Sequence, residues 1–246
     1  MTDQNAPHHE RSFETYETTI TVAELITPRN IHLRFQLPEG KQVHYKAGQF
    51  MQIFVPQPDK PRRTSYSIAS APQSSEFFEL CVTHVDGGKS STYLHSLKKG
   101  DKVTAMGPLG KFTLPEPLPR DTVFVCTGSG VAPFRSMLHD LLAKKTNRNL
   151  YLLFGNRFDD DIIYKKEWEE LSQKNSNFKH FFTLSRPTNQ WQGSKGYVQE
   201  KISDFVPNPK DKDFYICGLS KMINDVQAKL LELGVPKEQI HYEKYD

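Results

Sequence analysis

Two kinds of hydrophobic pattern divide this chain. From about Phe13 to Phe112, short alternating runs rich in β-branched and aromatic residues are cut by glycine and proline. The runs Thr18–Ala23, Ile31–Leu37, Gln49–Val55, Phe78–Val85 and Lys102–Ala105 read as strands, with breaks such as Pro38-Glu39-Gly40 as turns. One short helix is expected at Ser91–Leu97, with a serine as its N-cap. Such spacing predicts an antiparallel barrel or sandwich. After Leu114 come Pro115, Pro117 and Pro119, a stiff connector. Beyond it, apolar runs at Thr122–Cys126, Leu150–Phe154, Phe178–Leu184, Phe214–Cys217 and Gln239–Tyr242 alternate with helical patterns near Phe134–Lys144, Ile162–Gln173 and Lys221–Leu233. That alternation predicts a parallel sheet covered on both faces. Two domains follow, residues 13–114 and 120–246, with residues 1–12 as a flexible start.

Composition narrows the function classes. Of 246 residues, 37% are hydrophobic and 25% charged, enough for an ordinary folded core. A net charge of +3 is too small for a nucleic-acid-binding face, though a modest lysine excess favours an acidic protein partner. Cys81, Cys126 and Cys217 are scattered, so neither an iron–sulfur centre nor structural zinc is expected, and no metal site is assigned. Their odd, sparse count fits a reducing, cytoplasmic setting rather than a disulfide scaffold. No run approaches membrane-spanning length, and the polar start has no signal core.

Three segments carry candidate chemistry. In Val123–Pro133 a strand ends at Thr127-Gly128-Ser129-Gly130, and Pro133 sits where a first helical turn tolerates it. Free amides and the dipole at that helix start suit a pyrophosphate. A second anion cradle is offered by Asp86-Gly87-Gly88-Lys89-Ser90-Ser91 ahead of a helix; by itself that stretch reads first as a hairpin turn with an N-cap. Between them, Arg62-Arg63-Thr64-Ser65-Tyr66-Ser67-Ile68 joins arginines that can pair with phosphate to an aromatic that could flank a flat ring. Two anion sites on one chain suit a reaction between two phosphorylated cofactors.

These segments, in this order and over about Thr15–Tyr245, resemble the ferredoxin–NADP reductase superfamily: an FAD-binding six-stranded antiparallel β-barrel followed by a Rossmann-like NADP-binding domain with a five-stranded parallel sheet. The stretch Tyr66-Ser67-Ile68 is similar to the family's R-x-Y-S flavin motif, which implies Tyr66 packing on the isoalloxazine and Ser67 near the flavin N5. Gly88-Lys89-Ser90-Ser91 resembles the pyrophosphate motif G-x-x-S. Thr127, Gly128, Gly130 and Pro133 match the T-G-[ST]-G-x-A-P coenzyme loop. Cys217-Gly218 resembles the C-G pair beside the nicotinamide, and Glu243-x-Tyr245 the terminal E-x-Y, whose tyrosine stacks on the flavin. Ser185-Arg186 with Lys195-x-Tyr197 is similar to the NADP-linked 2′-phosphate and adenine site.

There are departures. Thr64 stands where the motif has arginine, so Arg63 is the expected phosphate contact. Thr83 stands where plastid-type members have lysine. Asp246 follows Tyr245, so that tyrosine does not carry the terminal carboxylate.

The resemblance implies a reductase moving hydride between NADP(H) and FAD and single electrons to or from ferredoxin or flavodoxin, as a monomer, with Ser67, Cys217, Glu243 and Tyr245 as catalytic residues. Alternatives are an NADH-dependent oxygenase reductase component, a free-flavin or quinone reductase, and a non-catalytic nucleotide-binding subunit. His84, His95 and His139 are read as surface or packing residues.

Overall fold

The computed structural model describes residues 13–245; the expectations for residues 1–12 and for Asp246 lie outside them. Six strands build the first sheet: β1 (Glu14–Thr27), β2 (Asn30–Gln36), β3 (Phe50–Val55), β4 (Arg62–Ser67), β5 (Phe77–Thr83) and β6 (Lys102–Leu109). Their order is β4-β3-β6-β1-β2-β5, and every ladder is antiparallel. A bridge between Ile68 and Leu80 joins the two end strands, so the sheet closes into the expected barrel. Period-2 alternation explains the filling: Ile20, Leu33, Phe35, Met51, Ile53, Phe78 and Leu80 are fully buried, with Phe35 and Phe78 stacked at 4.8 Å. The segment noted for its arginines and tyrosine is itself the sixth strand. Helix α1 (Lys89–Ser96) starts two residues earlier than expected. Gly88 caps it, not a serine, because the Ser91 hydroxyl is tied to Val85 and Gly88.

The second sheet is parallel, in the order β10-β9-β8-β7-β11-β12. Its strands are β7 (Asp121–Thr127), β8 (Leu150–Asn156), β9 (Phe178–Leu184), β10 (Ser194–Lys195), β11 (Lys212–Gly218) and β12 (Ile240–Lys244). The sheet has six strands where five were expected; the addition, β10, is two residues long and too short to leave a periodic trace. Alternate residues feed two cores, Phe124, Leu152 and Phe154 on one face and Val123, Val125, Phe214 and Ile216 on the other. Helices α2 (Ala132–Ala143) and α3 (Lys165–Lys174) cover the first face; Trp168 of α3 is fully buried there. The short helix α4 (Ile202–Phe205) and α5 (Ser220–Glu232) cover the other. None of the helices among the described residues is long and apolar enough to cross a membrane.

The connector is packed rather than free. Leu118 is buried, and Phe112 meets Phe134 and Tyr215 at 6.1 and 5.7 Å, so the barrel and the parallel sheet share one apolar seam. Gly48 marks how close that seam is: a Cβ there would stand 2.0 Å from the Phe112 carbonyl oxygen and 2.4 Å from the Met137 methyl carbon.

Candidate active site

The C-terminal ends of β7, β11 and β12 meet the end of β4. In the parallel register Cys217 lies beside Cys126 on one side and Glu243 on the other. Across the seam the Ser67 hydroxyl donates to the Glu243 carboxylate at 3.2 Å. Burial raises the Glu243 carboxyl above the ordinary carboxylate range, and the Ser67 bond offsets part of that. Burial also pushes the Cys217 thiol well above its usual value, so it is a neutral packing group and not a thiolate. Tyr245 is anchored by its N–H to the Gly218 carbonyl at 2.9 Å, and its buried hydroxyl makes no well-formed hydrogen bond among the described residues. The four residues read as catalytic therefore converge from three strands and the tail.

Next to them is the glycine loop. Gly128–Val131 forms a 3-10 turn that runs directly into α2, with Pro133 in the first helical turn. Gly130 has no room for a side chain: a Cβ would stand 2.4 Å from the Cys217 carbonyl oxygen. This brings the first-turn amides of α2 against the end of β11, an arrangement that suits a bound pyrophosphate. Gly218, at φ +149, lets β11 turn away beside Thr127.

Further along the same edge, Ser185 and Arg186 follow β9, and Lys195 lies on β10. Tyr197 is 61% exposed, presenting a ring at the surface. Sequence reading missed Arg157, whose carbonyl accepts the Arg186 N–H at 2.9 Å, setting the two residues side by side. Arg157, Arg186 and Lys195 form no ion pair among the described residues. The Asn156 amide nitrogen is buried and has no partner among the described residues at the same strand end. Orphaned polar atoms at Asn156 and Tyr245, with the loop amides between, are the donors that a dinucleotide along this edge would meet.

On the barrel, Tyr66 is half-buried, and burial pushes its hydroxyl up to about 12. Thr64 and Tyr66 lie two apart and so share a face of β4, where the Thr64 and Ser90 hydroxyls bond at 2.7 Å. Arg63 points the other way and lies over the Phe54 ring at 5.0 Å, so the expectation that it substitutes for the motif arginine is not met by the geometry. Arg62, one further step of two from Thr64, is on the Tyr66 face. Period-2 counting back from Tyr66 is the signal that would have found it. Lys89, Ser90 and Ser91 stand in the first turn of α1, where backbone N–H groups have no intrahelical partner. Thr83, at the other departure, donates to the Asn30 side-chain oxygen at 2.6 Å.

Two family models match the chain. Residues 17–114 match the family model for an oxidoreductase FAD-binding domain, and residues 124–228 that for an oxidoreductase NAD-binding domain. The chain is 38% identical over 243 residues to ferredoxin–NADP reductase B of Sorangium cellulosum, covering 95% of this chain and 98% of that one. It is 28% identical to the phenol hydroxylase P5 protein of Acinetobacter pittii, spanning 94% of itself but only 66% of that protein. In fold it matches a ferredoxin–NADP+ reductase from Neisseria gonorrhoeae with bound FAD and NADP, at a TM-score of 0.82 and 24% identity over 94% of this chain and 98% of the other. With these two adjoining nucleotide-binding modules and a full-length relative at that identity, the chain belongs to the ferredoxin–NADP reductase family of FAD- and nicotinamide-dependent oxidoreductases.

Proposed function

We propose that this protein is an NADPH-linked FAD reductase that passes electrons singly to an acidic carrier such as ferredoxin or flavodoxin, acting as a monomer in the cytoplasm. Residues 13–114 are its flavin domain and 120–246 its coenzyme domain. The observation that carries the reading is the convergence of Ser67, Cys217, Glu243 and Tyr245 at the junction of the two sheets.

Bound FAD supplies the redox chemistry: it accepts two electrons as hydride and returns them one at a time. The chain orients and shields. Tyr66 packs against the flavin ring, and Ser67 holds its reacting edge. Arg62 and the first turn of α1, from Gly88 through Lys89, Ser90 and Ser91, take the flavin phosphates. Thr127, Gly128 and Gly130 with the start of α2 take the coenzyme pyrophosphate. Cys217 and Gly218 wall the nicotinamide pocket with a small neutral thiol and no side chain. Glu243, its carboxyl raised by burial, accepts the Ser67 hydroxyl and stands ready to manage a proton beside the reacting site. Tyr245 occupies the place where nicotinamide must come, so it has to swing aside.

Coenzyme choice follows from charge. Arg186, Arg157 and Lys195, none of them ion-paired among the described residues, suit a doubly charged 2′-phosphate, and Ser185 and Tyr197 frame the adenosine. An anaerobic visible titration with NADPH and separately with NADH tests the reading. Bleaching of the flavin bands at lower NADPH concentration is the expected result. Preferential bleaching by NADH would move the protein toward an oxygenase reductase component, for which the likeness to phenol hydroxylase P5 is the support. A bound flavin that neither coenzyme reduces would refute the enzyme reading.

A further inference from the structure

A buried ionic cluster lies where the barrel meets the parallel sheet, apart from the residues assigned to either cofactor. Arg135, on α2, is at its centre. Its Nη1 donates to the Ala69 carbonyl at 3.0 Å and to Glu79 Oε2 at 2.8 Å; its Nε donates to Glu167 Oε1 at 2.7 Å. The guanidinium also lies over the Tyr164 ring at 4.6 Å. Glu79 is held in turn by Arg34 at 2.7 Å, with His32 at 3.5 Å. The Tyr164 hydroxyl and His32 Nδ1 bond at 2.8 Å, a second tie across the seam. Tyr164 sits at φ 57, a left-handed conformation that bulky residues seldom adopt. Such strain persists only where surrounding contacts over-determine it. Here the ring is the floor under Arg135 and the hydroxyl reaches the barrel.

The positions at the two ends of this clamp matter more than its strength. Ala69 is two residues past Ser67, and its N–H donates to the Glu79 carbonyl at 2.8 Å. Arg135 is two residues past Pro133, in the opening turn and a half of the helix that follows the glycine loop. One guanidinium thus fastens the end of the flavin strand to the start of the coenzyme helix. Its planar fork addresses three acceptors at once, which a lysine ammonium on a flexible stem cannot reproduce.

We propose that Arg135 is a positioning residue for hydride transfer: it fixes the spacing between the Ser67 strand and the glycine-loop helix, and hence between the two stacked rings. The inference rests on the cofactor assignment above. With both cofactors bound, the hydride would pass with its two electrons from nicotinamide C4 to flavin N5, leaving the oxidised nicotinamide cation behind. That transfer needs the two atoms about 3–3.5 Å apart, and misplacement by about 1 Å can cost about a hundredfold.

The test uses the FAD-loaded protein and its Arg135→Lys and Glu167→Gln variants. FAD content, Tm, NADPH affinity and the limiting rate of anaerobic flavin bleaching are measured, the rate also with C4-deuterated NADPH. Arg135→Lys is expected to keep its FAD and to bind NADPH within about threefold of the parent. It should lose at least about tenfold in limiting rate, with a larger deuterium effect. Glu167→Gln loosens Arg135 only within its own half, so Tm should fall with the rate unchanged. An unchanged rate in Arg135→Lys, or a rate loss in Glu167→Gln as large, would overturn the proposal. Should Arg135→Lys fail to hold flavin, Glu79→Gln cuts the same clamp from the barrel side; the same rate loss is expected there, and an unchanged rate refutes the idea. Failure of the underlying cofactor reading looks different, because then NADPH does not bleach the parent protein either.

Discussion

The Ser67 hydroxyl donates to Glu243 across 176 residues of sequence, joining the barrel to the last strand at 3.2 Å. The carboxyl that receives it is raised by burial. A group whose folded pKa lies above its unfolded value stabilises the fold below the unfolded pKa, and that contribution is lost as pH rises through the folded pKa. Above the unfolded pKa, burial of Glu243 is therefore a cost to stability. Glu243→Gln should leave Tm equal or higher at pH 7 while slowing flavin reduction by about ten- to a hundredfold. Thermal melts and anaerobic stopped-flow on one preparation check both; a lower Tm with an unchanged rate would show that Glu243 is structural only.

Tyr245 packs against the core of the parallel sheet, yet its hydroxyl makes no well-formed hydrogen bond among the described residues. On the function proposed above, a ring in that position would compete with nicotinamide for the flavin face. Tyr245→Ser should tighten oxidised-coenzyme binding by about tenfold or more, since the competent state no longer needs the ring displaced. It should also produce a long-wavelength charge-transfer band. Stability should fall by about 1–3 kcal/mol from lost packing. Unchanged binding and spectra would show that Tyr245 is not the lid.

Local pattern made much of this legible. Strand–helix alternation gave the parallel sheet because its central strands β7, β8 and β11 are buried on both faces, and the glycine loop was visible because Gly130 has no space for a Cβ. What stayed hidden depends on direction or on distant pairing. Arg62 and Arg63 are equivalent in composition, and only the pleat of β4 turns one toward Tyr66 and the other onto Phe54. Arg135 reads as an ordinary polar position on an amphipathic helix, and Glu79 as an interruption in an apolar strand. Their pairing spans 56 residues and exists only once the seam forms. His139, expected to be a surface or packing residue, belongs there too, at 2.6 Å from Glu167. The two-residue β10 is fixed by its partner β9 rather than by its own sequence.

Arg157 and Arg186 stand together through the backbone bond between them. If both face a 2′-phosphate, Arg186→Ala should weaken NADPH binding by about ten- to a hundredfold, the usual range for one charge-assisted contact. NADH binding should move by less than about twofold. Arg157→Ala should show the same selectivity to a smaller degree. Calorimetric titration with each coenzyme decides it; equal losses for NADPH and NADH would remove the phosphate assignment.

Glu79 is expected to set the acid limit of the fold. It is 4% exposed, and against the opposing effect of burial His32 and Arg135 hold its carboxyl well below the usual carboxylate range, with Arg34 paired to it at 2.7 Å. A depressed folded pKa contributes stability that is complete above the unfolded value, 4.5, and is lost as pH falls below it toward the folded pKa. Tm should therefore drop steeply from pH 5 toward pH 3 in the parent. Glu79→Gln should lower Tm at pH 7, by about 3–5 kcal/mol in stability, because it leaves two guanidinium groups facing a neutral amide in a buried seam. The variant's Tm should then vary much less over the acid range. Glu170, paired with Lys174 at 3.4 Å and 63% exposed, is the control: Glu170→Gln should cost under about 1 kcal/mol and keep the parent's acid slope. If Glu79→Gln keeps the parent's slope as well, the acid sensitivity arises elsewhere and the buried clamp is not what the protons break.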